Sequence, residues 1–485
     1  MISFILFEDE LWRNFTPLVY TRPLFDLRCG GFTLRERVAA WHATHRHDTF
    51  LVREFGNTTQ PMSIPIAGNT RGELTIAGLC RSHLMGYYGP AGGMLNLLSD
   101  STPLTLINGR ALDLDWLADL LAAPLNTVYV ADGTLLGARL SPAVASAVLY
   151  YLGAQATAEA VAELQRFARV QEVNAVLLQY PWDLITQTGE QLIQDLPLLA
   201  ARLPRYSAAD PQVVVRGDTH VYADPSAQLD GPLVLDARDG PIVIDQDARI
   251  EPFSFIQGPA YIGAKSLIAS ARIRGETSIG PVCRIGGEVE ASIVQGFSNK
   301  HHDGFLGHSW VGEWVNIGAM TTNSDLKNTY GNIRVVIESL GQLDSGVLKL
   351  GCFLADHVKL SIGLHLNGGT IVGMGSNIFG VPVAPKTIPP FTWGGEVFHE
   401  YRIDSMIDVA RKVMARRKQS MSPAYETLLR AVFGMTRAGR TTLIETLPAE
   451  PATHAGNPAW THSRTEAQAV PAYASALLDP AVHPK

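Results

Sequence analysis

A chain of 485 residues is too long for one hydrophobic core, so two or three domains are expected. With 46% hydrophobic and 18% charged residues it has an ordinary globular composition, and a formal net charge of -7 argues against a sequence-independent nucleic-acid binder. Cys29, Cys80, Cys283 and Cys352 are scattered with no CxxC pair, which suggests neither a disulfide framework nor a cysteine zinc site. No apolar run reaches the length of a membrane span. The expectation is a cytoplasmic protein with no membrane or nucleic-acid partner.

The opening "MISFILFEDE" lacks a basic leader and reads as a first strand, not a signal peptide. Residues 1–205 mix strand-like runs ("ISFILF", "NTVYVA") with helical ones ("LSPAVASAVLYYLGAQ", "TAEAVAELQRFARVQEV"), which predicts an α/β layer domain. "RLPRYSAADPQ" (Arg202–Gln212) is polar and contains proline, as a linker would.

From residue 213 the grammar changes. Apolar residues recur every six positions: Ile244, Ile250, Ile256 and Ile262; then, after a slip, Leu267, Ile273, Ile279 and Ile285; then Phe305, Val311 and Ile317; then Leu354, Leu360, Leu366, Val372 and Ile378. Glycine follows several of them. A six-residue period fits neither an amphipathic helix nor an alternating strand, and predicts a parallel β-helix of hexapeptide repeats over residues 213–395. Proline-rich text near Gly380–Gly395 closes it. "YRIDSMIDVARKVMARRKQ" and "SPAYETLLRAVFGM" predict C-terminal helices within residues 396–436, the second opened by Ser422 and Pro423. Residues 437–485 are rich in Ala, Thr and Pro without periodicity and are expected to be a disordered tail.

"HDGFLGHSWVGEWVNIGAMT" (His302–Thr321) is similar to the acetyltransferase segment of the bifunctional bacterial enzymes that make UDP-N-acetylglucosamine. An amine attacks a thioester as the free base, and a neutral imidazole can take its proton. The resemblance implies His302 as that general base. It places Phe305 where the family has a Tyr that helps hold the sugar phosphate, and Asn316 on a sugar-contacting Asn. Asn323 and Lys327, in "TNSDLKN", are offered as ligands of sugar hydroxyl or phosphate by analogy. Glu288 and Glu290 lie on the preceding coil, where the family carries a Lys. His301 and His308 read as bystanders. Zinc held by these histidines is the rival chemistry.

"TRPL…GGFTLRERV" resembles the second half of the phosphate-binding signature of sugar-1-phosphate nucleotidyltransferases, which implies Arg22 and Arg28 as substrate-binding residues. The glycine-rich first half has no counterpart in "LFEDELWRNFTPLVY". "LTLINGRALDLDWL" is similar to the strand-end motif that holds Mg²⁺, with Arg110 at the usual Asp position and Asp113 and Asp115 as substitute metal ligands.

Together these pieces resemble the divergent sugar-nucleotidyltransferase family with a C-terminal hexapeptide-repeat domain. That family implies a left-handed β-helix, a homotrimer with sites between neighbouring prisms, and a role in sugar-nucleotide and cell-envelope biosynthesis. The implied transferase joins an NTP, UTP first, to a sugar-1-phosphate with Mg²⁺. It also moves an acetyl group from acetyl-CoA, the acyl-CoA donor, to an amino-sugar phosphate, towards a UDP-N-acetylglucosamine-like product. Two alternatives stand beside it: nucleotidyl transfer alone on a trimerisation frame, and a non-catalytic sugar-nucleotide-binding trimer.

Overall fold

The computed structural model describes residues 2–46, 49–54, 70–88, 103–207, 210–217, 220–395 and 397–446. The N-terminal part is built on β1 (Ile2–Phe7), β2 (Thr49–Glu54), β3 (Thr70–Leu79), β4 (Leu104–Asn108), β5 (Thr127–Ala131), β6 (Thr134–Leu140) and β7 (Arg169–Glu172). They form one sheet in the order β2-β3-β1-β4-β6-β5-β7. The run β2-β3-β1-β4 is parallel, and β6 runs antiparallel to both its neighbours. The β5–β6 hairpin turns on Asp132 and Gly133, both at positive φ (48° and 71°), as a two-residue loop between right-twisted strands requires. Helices α1 (Leu34–Arg46), α2 (Pro142–Gly153) and α3 (Thr157–Phe167) flank the sheet, and α4 (Pro181–Gln194) lies against Arg28–Cys29 and the β-helix strands Ala260–Ile262 and Thr277–Ile279. The predicted helix over "TAEAVAELQRFARVQEV" stops at Phe167, because the residues that follow pair with β5 as strand β7.

From Val213 to Gly394 the chain winds as a parallel β-helix of short strands. Three inward columns run up its axis. One contains Ile244, Ile262, Ile279, Val294, Val311, Leu354, Val372 and Ile388. The second contains Ile250, Ile268, Ile285 and Lys300, then Ile317, Leu360 and Ile378. The third contains Ile256, Ile273, Val289 and Leu306, then Asn323 and Leu366. Apolar members of these columns are buried and form one core. Two expected core residues are displaced: Ile268 and Leu306 take the inward places, and Leu267 and Phe305 face outward. The slip lies after Ile268, where the register shifts between Ala269 and Arg272.

After Asn323 the chain leaves the ladder and returns at Leu350. This excursion carries a hairpin (Arg334–Ile337 with Gly341–Asp344), whose Ile333, Val335 and Ile337 share a core with Phe15, Leu18 and Tyr20. Helices α5 (Ile403–Ala415) and α6 (Pro423–Met435) pack on the same core through Met406, Ile407, Met414, Leu428 and Leu429. Ser422 caps α6 by accepting from Tyr425 N–H at 3.1 Å. Residues 437–446 of the expected disordered tail instead form helix α7 (Arg437–Thr446), anchored by Arg440, whose guanidinium pairs with Glu400 at 2.8 Å and lies over Phe433. Residues 447–485 of the expected tail lie outside the described residues. Among the described residues no helix is long and apolar enough to cross a membrane.

Candidate active site

His302 projects from a turn at one corner of the β-helix, and its side chain is exposed. The cause is a length mismatch between adjacent coils. Val289 follows Ile285 by four positions, whereas Leu306 follows Lys300 by six. The upper coil therefore overhangs the lower at His301–Gly304. Gly286 makes the tight lower corner possible, since a Cβ there would meet the His301 carbonyl at 1.9 Å. The Nζ of Lys300 reaches up from the core to the carbonyls of Gly286 (2.8 Å), His302 (3.3 Å) and Gly304 (2.6 Å). The rings of His301 and His302 meet edge-on at 5.1 Å.

Phe305 lies on the next face, level with Glu288 of the coil below. Glu288 is held by Arg272 (3.0 Å) and Arg274 (3.2 Å), which lower its pKa. Asn316 is exposed on the other side of the corner and accepts from Asn299 Nδ2 at 3.0 Å. Phe305 and Asn316 thus lie on the faces either side of the His302 corner, Asn316 one coil above, with the Phe305 ring turned over Gly307. His308 is engaged with Asp325 (Nδ1 to Oδ2, 2.8 Å), which keeps that carboxyl below the usual range. Sequence reasoning passed over Lys300, Arg272, Arg274 and Asp325. Only the alternation in "ARIRGE", two arginines flanking an inward Ile273, was available as a signal for the arginine pair.

Asn323 and Lys327 do not join the corner. Asn323 is 5% exposed in an inward column, where its amide both accepts from Gly307 N–H and donates to Gly307 C=O at 2.9 Å. An amide there is spent on the backbone, not on a sugar. Lys327 donates to the Asn332 carbonyl within the excursion.

Arg22 and Arg28 are also corrected. Arg22 is 4% exposed, bonded to Asp356 of the β-helix at 2.6 Å and to Glu313 at 3.3 Å. Thr21 donates to the same Asp356 carboxylate. Arg28 is 3% exposed, bound to Glu36 (3.1 Å) and the Gly31 carbonyl (2.6 Å), and lies over Tyr261. The Gly30–Gly31 turn does cradle an anion, but a protein one: Asp195 accepts from Gly31 N–H (2.9 Å) and from Arg37 (2.7 Å). The stretch that resembles a phosphate grip is closed on side chains of this chain, at the seam between the sheet domain and the β-helix.

A cleft of about 480 Å³ opens where β1 and β4 end, bordered by Asp9, Glu10, Arg110, Thr134, Thr157 and Gln165. The C-terminal edge of parallel strands is where ligands of open α/β sheets bind. Arg110 is 2% exposed and its Nε and Nη2 both meet Asp9 Oδ2 at 2.7 Å, while Asn108 Nδ2 joins the same oxygen at 3.0 Å. Asp113 accepts from Val176 N–H at 3.2 Å, and burial and the neighbouring Asp115 raise its pKa. Asp115 is exposed. Among the described residues no three His, Cys, Asp or Glu side chains converge as metal ligands. Mg²⁺ needs only one or two carboxylates beside the substrate's phosphates, and Asp113 and Asp115 would be those carboxylates.

Residues 4–203 match the family model described as sugar nucleotidyl transferase. That segment is nucleotidyltransferase-like. The chain is also 31% identical over 219 residues to the bifunctional protein GlmU of Acidithiobacillus ferrooxidans, covering 41% of this chain and 44% of that one. It is 31% identical over 143 residues to a bifunctional sugar-1-phosphate nucleotidylyltransferase/acetyltransferase of Sulfurisphaera tokodaii, covering 29% and 35%. The chain thus spans less than half the length of these relatives. An Arabidopsis UDP-N-acetylglucosamine acyltransferase structure aligns over 50% of this chain and 99% of its own at 11% identity, with a TM-score of 0.21, a likeness too slight to bear on function.

Proposed function

We propose that this chain is a two-domain transferase of sugar-nucleotide synthesis. In this reading the sugar nucleotidyl transferase domain joins a nucleoside triphosphate, UTP first, to a sugar-1-phosphate. The β-helix moves an acetyl group from acetyl-CoA to an amino-sugar phosphate at the His302 corner, in a homotrimer. The observation that carries it is the presence, in one chain, of a nucleotidyltransferase-like domain and a β-helix whose overhanging turn presents His302 to solvent. His302 takes the proton of the attacking amine as the C–N bond forms and the C–S bond breaks. The departing thiolate carries away the electron pair of the C–S bond. Phe305, Asn316 and the Arg272/Arg274 pair border the space for the sugar phosphate. Coenzyme A supplies the activated acyl group when bound.

A second reading is favoured by the Asp9–Arg110 pair. With a guanidinium on the carboxylate nearest the cleft, the domain holds a nucleotide or sugar phosphate without turning it over. One assay separates the two: amino-sugar-1-phosphates with acetyl-CoA and UTP, measuring thiol and pyrophosphate together. Thiol and pyrophosphate both appear in the first reading, thiol alone in the second. No thiol with any amino sugar sinks the acyl-transfer assignment. His302→Ala is expected to lower thiol release by about 100-fold or more, the usual contribution of a general base.

A further inference from the structure

We propose that Lys300 is the positioning residue for His302, fixing from inside the core the turn from which the imidazole projects. The proposal deepens the reading of His302 as the acyl-transfer base and rests on it.

Lys300 stands in an inward column, paired with Ile285 below, and is 3% exposed. An isoleucine or leucine would pack that place at no electrostatic cost, whereas a buried ammonium loses its hydration and persists only where acceptors replace it. Here the acceptors are the carbonyls of Gly286, His302 and Gly304. They belong to the shortened corner of one coil and to the overhanging turn of the next. Where adjacent coils differ in length the ladder is interrupted and its carbonyls are left short of donors: Gly304 C=O receives Glu288 N–H at 3.4 Å, at the long end of a hydrogen bond. One ammonium with three N–H groups supplies what the ladder lacks. The fit is close: a Cβ at Gly287, whose φ is +70°, would lie 2.9 Å from the Lys300 Nζ. Among the described residues Lys300 makes no side-chain ion pair, and its contacts are spent on the backbone of the His302 turn and the coil beneath it.

The charged groups around it are Asp303, on the turn itself, and Glu288, on the coil below and already held by Arg272 and Arg274. The imidazoles of His301 and His302 share the turn. Burial outweighs both acids and brings the Lys300 pKa down from the ordinary lysine value to about 8. Below that pH three donors face three carbonyls. Above it a neutral amine has two donors and turns a lone pair towards an acceptor, so the turn loosens. Acyl transfer should then fall above about pH 8, whereas deprotonation of the amine substrate alone would make it rise.

The test uses the full chain with acetyl-CoA and the amino-sugar phosphate that gives the highest thiol release. Lys300→Met should lower kcat about 10- to 100-fold, the cost of misplacing a catalytic group by about an ångström, with KM for acetyl-CoA unchanged. It should also abolish the alkaline fall and speed deuterium exchange at residues 301–304. Lys300→Gln, which keeps two donors, should recover part of the rate. If Lys300→Met does not fold, the wild-type pH profile and Lys300→Gln decide. A folded variant with wild-type kcat overturns the proposal, as does a rate loss that leaves the alkaline limb and the exchange of the turn unchanged. Failure of the base assignment is distinct: His302→Ala would keep wild-type thiol release while Lys300→Met still loosened the turn.

Discussion

At the scale of single residues, two polar side chains, Lys300 and Asn323, take places in columns that are otherwise apolar, and each replaces missing ladder bonds. Asn323 accepts from Gly307 N–H and shares the Gly307 carbonyl with the Ser309 hydroxyl. Asn323→Ala strands the Gly307 N–H while Ser309 keeps the carbonyl, and the expected loss is about 1–3 kcal/mol of stability. Its KM for the sugar should not change. A raised KM with an unchanged melting temperature would restore the ligand role that the motif suggested. Residue type explains why neither was legible in the sequence. An inward Asn or Lys in a hexapeptide repeat looks the same as an outward one until the register is known, and the register slips after Ile268. The sequence singles out His302, the proposed base, because the segment around it keeps its spacing to "VNIGA" without a gap.

At the scale of the coil, the shape of the site follows from unequal lengths of adjacent turns, made possible by glycine. Gly286→Ala puts a Cβ into the His301 carbonyl and must displace the turn that bears His302. The expected loss is about 1–3 kcal/mol of stability, with a fall in kcat. Gly280→Ala is the control. Its Cβ would meet the Gln295 carbonyl at 2.0 Å, a comparable clash at a corner without the histidine. It should lose similar stability and keep its kcat once folded, as read by circular dichroism and thiol release. Equal kcat losses in both would tie the effect to general loosening. The six-residue period makes the coils legible in the sequence, since apolar columns must recur. The excursion between Asn323 and Leu350 is not legible there, because its hairpin follows a different period and buries its apolar face against another part of the chain.

At the scale of the whole molecule, the segment with the look of a phosphate grip is a joint. Arg22 and Thr21 meet Asp356; Gln295 binds Arg28 N–H and the Asp26 carbonyl; Ser278 donates to the Gly30 carbonyl; Arg202 pairs with Asp245. Composition alone cannot distinguish an arginine awaiting a phosphate from one awaiting a carboxylate 334 positions away in the chain. Arg22→Ala leaves Asp356, 1% exposed, buried without its cation, and should cost about 3–5 kcal/mol. Adding Asp356→Asn should recover much of that, and calorimetry of the pair measures the coupling. Independent single-mutant effects would show that the joint transmits nothing. The arrangement also bears on inheritance. A gene divided at residues 205–213 would yield two polypeptides, each exposing apolar surface whose counterpart lies on the other (Phe15, Leu18 and Tyr20 on one, Ile333, Val335 and Ile337 on the other), so neither is expected to remain in solution unaided. The two parts are therefore poor material for domain shuffling, and variation in one is constrained by the other.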